Sequence, residues 1–142
     1  MPATTGSVLL VEDDRDLRDA VAEILEEEGF SVTRTENGRE ALDALRSHGA
    51  GEFCLVLLDM RMPVMTGIEF RREQLRDSRI AEVPVVAFAA GSRDRGEAAL
   101  LGVTTFISKP VDVVRLLEVV SMYCTGEKGR DRASLPAGAA RG

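Results

Sequence analysis

The chain has only two cysteines and one histidine in 142 residues, fewer basic than acidic side chains, and no long hydrophobic run. Each shortage removes a class of function. Cys54 and Cys124 lie far apart with no CxxC pair, and His48 belongs to no cluster, so neither a zinc site nor a disulfide framework is expected. Both cysteines read as buried thiols. The net charge of −6 and a pI near 4.9 disfavour a non-specific grip on nucleic acid or on an anionic membrane. No window reaches the ~18 uncharged apolar residues of a membrane span. The opening MPATTGSVLLVEDD lacks the basic start and apolar run of a signal peptide. The expected location is the cytoplasm, with no membrane and no direct nucleic-acid contact.

What is present is a globular composition, 44% hydrophobic and 30% charged, in a length that suits one domain. Short apolar runs alternate five times with amphipathic segments. SVLLV at 7–11 reads as a buried strand, followed by Leu17, Ala20, Val21, Ile24 and Leu25 at helical spacing. FSVTRT at 30–35 is a more polar, edge-like strand, with Asn37 as cap candidate for a helix carrying Ala41, Leu42 and Leu45. FCLVLL at 53–58 precedes a helix over 66–77 whose apolar face is Ile68, Phe70 and Leu75. VPVVAF at 83–88 leads into a helix over 93–101, and TFIS at 105–108 into one over 112–123. The pattern predicts an α/β fold, a (βα)5 three-layer sandwich on a parallel sheet. The folded domain spans 7–124. Residues 125–142, rich in Gly, Ala and Arg, read as a disordered tail.

Charged residues gather where such a sheet collects ligands, beyond the carboxyl ends of its strands. The first strand runs into Glu12-Asp13-Asp14, the third into Asp59, the fifth into Lys109-Pro110. With the first and third strands adjacent, several carboxylates converge and repel. A hard divalent ion such as Mg²⁺ relieves that repulsion, and Lys109 adds a second cation. Two cationic groups facing a carboxylate nucleophile suit phosphoryl transfer onto an aspartate. Taken singly, the acidic run is as well explained as a solvated helix start, Asp59 as a turn former, and Lys109 as a surface lysine. Their shared position at alternate strand ends favours the site.

LLVEDD, DMRMPVMTG and SKP after an aromatic resemble the receiver domain of two-component response regulators, over about residues 7–124. The resemblance implies a flavodoxin-like fold with strand order 2-1-3-4-5. It implies that Asp59 accepts a phosphoryl group from a histidine of a sensor kinase or phosphotransfer protein. Mg²⁺ would be held by Asp13, Asp59 and the backbone carbonyl of Arg61, with Glu12 acting mostly through water, while Lys109 binds a phosphoryl oxygen. A cis Lys109–Pro110 bond is implied as well. His48 lies far from this site, so the donor comes in trans. The output surface is the fourth helix, fifth strand and fifth helix, residues 92–123, facing an unidentified downstream protein.

One position departs from the family pattern. Ala89 stands where a Ser or Thr hydroxyl is usual, which weakens rather than abolishes activity; Ser92, three residues on, is a poor substitute. Without that hydroxyl, Phe106 is expected to sit inward before phosphorylation, flattening the switch, or to be simply a core residue. The side chain of Arg61 has three roles open to it: a shield over the phosphoryl bond, a partner of Glu12, or a solvent-exposed loop residue. The competing reading of the whole is a phosphorylation-independent docking module. A conventional enzyme is not expected: a flavin carrier is opposed by the acidic first loop, and an aspartyl phosphohydrolase finds only Asp14-Arg15-Asp16.

Overall fold

The computed structural model describes residues 6–125. The element order is β1 (Ser7–Val11), α1 (Arg15–Glu27), β2 (Ser31–Thr35), α2 (Gly38–His48), a 3-10 turn (Ala50–Glu52), β3 (Phe53–Asp59), α3 (Gly67–Arg76), β4 (Val85–Ala89), α4 (Ser92–Ala99), β5 (Phe106–Ser108) and α5 (Val113–Tyr123). The strands form one parallel sheet in the order β2-β1-β3-β4-β5. The tail expected over 125–142 lies outside the described residues but for Thr125.

Both faces of the sheet are covered, as continuous apolar strands require. On one face Leu9, Val56, Leu58 and Ala87 pack against Leu42 and Leu45 of α2, Phe70 of α3 and Ala98 of α4. On the other, Leu10, Leu57, Phe88 and Ile107 meet Leu25 of α1 and Val119 and Val120 of α5. β2 is the polar edge strand, with only Thr35 buried. β4 begins at Val85 rather than 83, because Pro84 has no N–H for the ladder.

The apolar face expected on α3 is corrected at Leu75, which is 42% exposed. Its place is taken by Gln74, fully buried, whose Nε2 donates to the carbonyls of Ile80 and Val83 at 3.0 Å each while its Oε1 accepts from Arg71 Nη1 at 2.8 Å. With its amide group satisfied in this way, a polar side chain can lie in the core.

The second correction concerns the cysteines. They are not thiols: Cys54 and Cys124 form a disulfide, with Cα atoms 5.4 Å apart across a sequence separation of 70. The cause is a bulge. Ser7 pairs with Phe53 but Val8 pairs with Leu55, leaving Cys54 as the extra residue in β3. The strict alternation of a strand would put Cys54 on the face of Val56 and Leu58. The bulge instead turns it to the face of Leu55 and Leu57, where α5 ends and Cys124 lies.

Candidate functional site

The acidic run divides into two tasks. Asp14 caps α1, its side chain accepting from the amides of Asp16 and Leu17. Glu12 and Asp13 remain at the end of β1, and several bonds hold that end in place. The Glu12 amide donates to the Thr35 carbonyl at 3.1 Å, the buried Thr35 hydroxyl donates to the Leu10 carbonyl at 2.9 Å, and Arg18 Nη1 donates to the Glu12 carbonyl at 2.9 Å.

Asp59 closes β3 and is buried. Its Oδ1 accepts from Lys109 Nζ at 3.0 Å and from the Arg61 amide at 3.3 Å. Lys109 follows β5, and its amide donates to the Ala89 carbonyl at 3.0 Å, which ties it to the end of β4. The same Nζ lies 3.6 Å from Glu12 Oε1. Thus Glu12, Asp59 and Lys109, read from three separate motifs, meet in one pocket, with Asp13 at its exposed lip. The Lys109–Pro110 peptide is cis.

Electrostatics agree with the crowding. Burial, and then the neighbouring charge of Asp59, push the Glu12 carboxyl up to about 7, against the opposing pull of the Asp14 amide and Lys109. Burial works against the Lys109 ammonium, but Asp59 and then Glu12 outweigh it and hold the amine above its ordinary value. One ammonium faces three carboxylates, so the pocket is short of positive charge. Carboxylate oxygens of Glu12, Asp13 and Asp59 all lie within 4.8 Å of one another, and the buried Glu12 Oε1 has no hydrogen-bond partner. An orphaned buried oxygen among hard oxygen donors fits a small divalent cation such as Mg²⁺.

The loop from Met60 to Thr66 explains the motif after Asp59. At Gly67 a Cβ would lie 2.8 Å from the Asp59 carbonyl oxygen, so only glycine lets α3 start against the strand end. Thr66 and Glu69 form a capping box that fixes this start. Val64 is 78% exposed with φ 69°, a left-handed conformation unusual for a β-branched residue.

Arg61 takes a partner that the sequence did not suggest. It does not pair with Glu12; its side chain is exposed, and its Nε and Nη2 lie 3.1 and 3.0 Å from Asp94 Oδ1 on α4. Asp94 is 5% exposed, and its other oxygen accepts from the Ala90 amide at 3.0 Å. An acid in a helix's first turn was the one available signal. Arg18 and Thr35 were likewise missed, since neither belongs to a motif.

Ala89 is buried at the end of β4, while Ser92 is exposed at the start of α4. Phe106 is half-buried: it packs against the core beside α4 and also lines a surface hollow of about 670 Å³ with Arg95, Ser108, Arg115 and Met122. His48 is the exposed last residue of α2. Among the described residues, no helix is long and apolar enough to cross a membrane.

Comparison with known proteins finds related sequences and the same fold elsewhere. Residues 8–121 match the family described as the response regulator receiver domain. The polar-differentiation response regulator DivK of Brucella anthropi is 32% identical over 119 residues, 82% of this chain and 94% of that one. Among solved structures, the chemotaxis protein CheY4 of Vibrio cholerae is similar with a TM-score of 0.75 at 27% identity, covering 84% of this chain and 99% of the other. A response regulator receiver protein from Pseudomonas putida gives a TM-score of 0.71 at 28% identity, with 83% and 97% covered.

Proposed function

The chain belongs to the response regulator receiver domain family of two-component signalling, and from that premise we propose that Asp59 is the phosphoryl acceptor of a signalling switch read out by protein contact. The observation that carries this is the buried Asp59 at a strand end, 3.0 Å from Lys109 and grouped with Glu12 and Asp13. A carboxylate oxygen of Asp59 attacks the phosphorus of a phosphohistidine on a sensor kinase or phosphotransfer protein. The P–O bond forms as the P–N bond breaks, and the imidazole leaves with the bonding pair. Lys109, already on Asp59 Oδ1, is placed to meet a phosphoryl oxygen as charge develops there.

Asp13, Asp59 and the Arg61 carbonyl would hold Mg²⁺, with Glu12 behind them. When bound, the ion offsets the carboxylates and the negative charge of the transferred group. The buried Ala89 offers no hydroxyl to that group. One absent donor to a charged oxygen costs roughly 1.5–3 kcal/mol, so the proposed switch is attenuated by about one to two decades. Phe106, already packed against the core, then has less distance to travel between states. The output surface is the α4–β5–α5 face around the hollow beside Phe106, and the proposed setting is the cytoplasm, beside the kinase.

Intact mass after incubation with Mg²⁺ and a small-molecule phosphodonor tests this. The parent gains one phosphoryl group and Asp59→Ala gains none. No gain in the parent, with a control receiver labelled in parallel, leaves the docking module as the better reading.

A further inference from the structure

The Asp94 contact does more than cap a helix. The N-cap of α4, Gly91, makes no side-chain cap bond, and a capping acid needs only the nearby backbone amide. Asp94 takes that amide, Ala90, on one oxygen. On the other it takes the guanidinium of Arg61, from a loop 33 residues away. Both side chains line one surface hollow with Met60 and Thr66.

The two groups that Asp94 occupies stand on the two loops flanking Asp59. Arg61 is two residues beyond it and already donates its own amide to Asp59 Oδ1. On the other side, Phe88 is the register partner of Asp59, Ala89 carries the carbonyl that holds Lys109, and Ala90 follows. A phosphoryl group on Asp59 brings close to two negative charges and three acceptor oxygens to this rim. With no hydroxyl at position 89, the rim offers, besides Lys109 and the Arg61 amide, two further donors: the Ala90 amide and the Arg61 guanidinium. Asp94 holds both.

Resting on the reading of Asp59 as phosphoryl acceptor, we infer that Asp94 is an internal stand-in for the phosphoryl group, which phosphorylation displaces, freeing the first turn of α4. The resting contact is suited to exchange. The Arg61 side chain is 63% exposed, and an ion pair with so exposed a partner is weak. A phosphoryl group carries more charge and more acceptor oxygens than the Asp94 carboxylate, and so competes for both donors. α4 has little else to hold it, with only Asp94 and Ala98 buried along eight residues. Asp94 is thus a positioning residue that couples the acceptor to the helix in place of the missing hydroxyl.

The test combines intact mass with hydrogen exchange of the amides of residues 95–98, on the parent, Asp94→Asn and Arg61→Gln. In the parent, phosphorylation is expected to speed exchange in this turn about tenfold, the scale of one charged hydrogen bond. Asp94→Asn keeps an oxygen for the Ala90 amide but loses the charge. It exchanges fast before phosphorylation and carries a several-fold larger phosphorylated fraction at limiting donor. Arg61→Gln also exchanges fast in the unmodified state, yet its phosphorylated fraction does not rise, since the phosphoryl group loses the same cation. Normal phosphorylation of the parent with unchanged exchange, or an Asp94→Asn variant indistinguishable from the parent in both readouts, overturns the inference while leaving Asp59 as acceptor. Absence of any mass gain in parent and variants alike is a separate result: it removes the acceptor reading and the stand-in with it.

Discussion

The two sides of the rim around Asp59 are built to different standards. On the β1 side, α1 runs thirteen residues from a double-bonded Asp14 cap, buries Val21, Ala22 and Leu25, and the strand end is laced by Thr35 and Arg18. On the β4 side the strand end reads Ala89-Ala90-Gly91, and the eight-residue α4 carries Gly96 inside it. Its most evident tether at the rim is Asp94. In the proposed switch, one side holds carboxylates at fixed positions for a cation and the other moves when a charge arrives. A phosphorylation switch needs both, because a wholly rigid rim would bind without reporting and a wholly loose one would not bind.

The comparison can be broken most severely from below. Reducing the Cys54–Cys124 bond, or replacing both residues with Ala, removes a constraint on a loop of 70 residues. Chain-entropy reasoning sets the loss at roughly 4 kcal/mol. Urea denaturation with and without a reductant should register it, and Mg²⁺ affinity should change little, since the bond lies at the opposite end of β3 from Asp59.

Next in size is the charge of the fixed side. The Glu12 carboxyl is raised from its ordinary 4.5 to about 7, so the folded state holds its proton more tightly than the unfolded chain. The associated stability is fully present below about 4.5 and is lost as the pH rises through about 7. Without divalent cations, the unfolding free energy read from denaturation curves should therefore fall between pH 5 and pH 8, by on the order of 3 kcal/mol. Glu12→Gln should flatten the profile, and Mg²⁺ should restore stability at pH 8.

Smaller still is the asymmetry itself. Thr35→Val should cost about 1–2 kcal/mol through the lost buried hydrogen bond, whereas Ser92→Ala, on the exposed start of α4, should stay within about 0.5 kcal/mol. Equal costs in thermal unfolding would erase the proposed contrast. Smallest, Val64→Asn should stabilise by about 1 kcal/mol, because Asn tolerates the left-handed region that Val64 occupies; an unchanged melting temperature would show that the loop carries no strain there.

The (βα)5 pattern and the charged strand ends at Glu12, Asp13, Asp59 and Lys109 were legible because they rest on local signals, whereas the sheet order that brings those ends together came from the resemblance to the receiver family. Apolar runs end in charged residues, and the family motifs keep their spacing. Three features were not legible. The disulfide depends on a bulge that moves Cys54 to the other face, and a period of two cannot anticipate an inserted residue. Gln74 could enter the core only because the 77–84 segment presents the carbonyls of Ile80 and Val83 to it. The Arg61 partner depends on where the first turn of α4 lies over the β3–α3 loop, a tertiary fact with no trace in either segment alone.

The bond between Cys54 and Cys124 also gives the molecule a lariat topology. Asp59, Asp94 and Lys109 all belong to the closed ring, while Glu12 and Asp13 sit on the free arm, whose strand β1 pairs along the outer side of β3 at the ring's edge. A protease nick in the β3–α3 loop or before α4 would leave a single covalent molecule until reductant is added, whereas a nick after β2 would sever the arm covalently at once, leaving it held only by packing and the β1–β3 pairing. The acceptor and its acidic neighbours are thus separable by chemistry that leaves the ring intact, and two-piece reconstitution could supply the Mg²⁺ carboxylates from one fragment and the phosphoryl acceptor from the other.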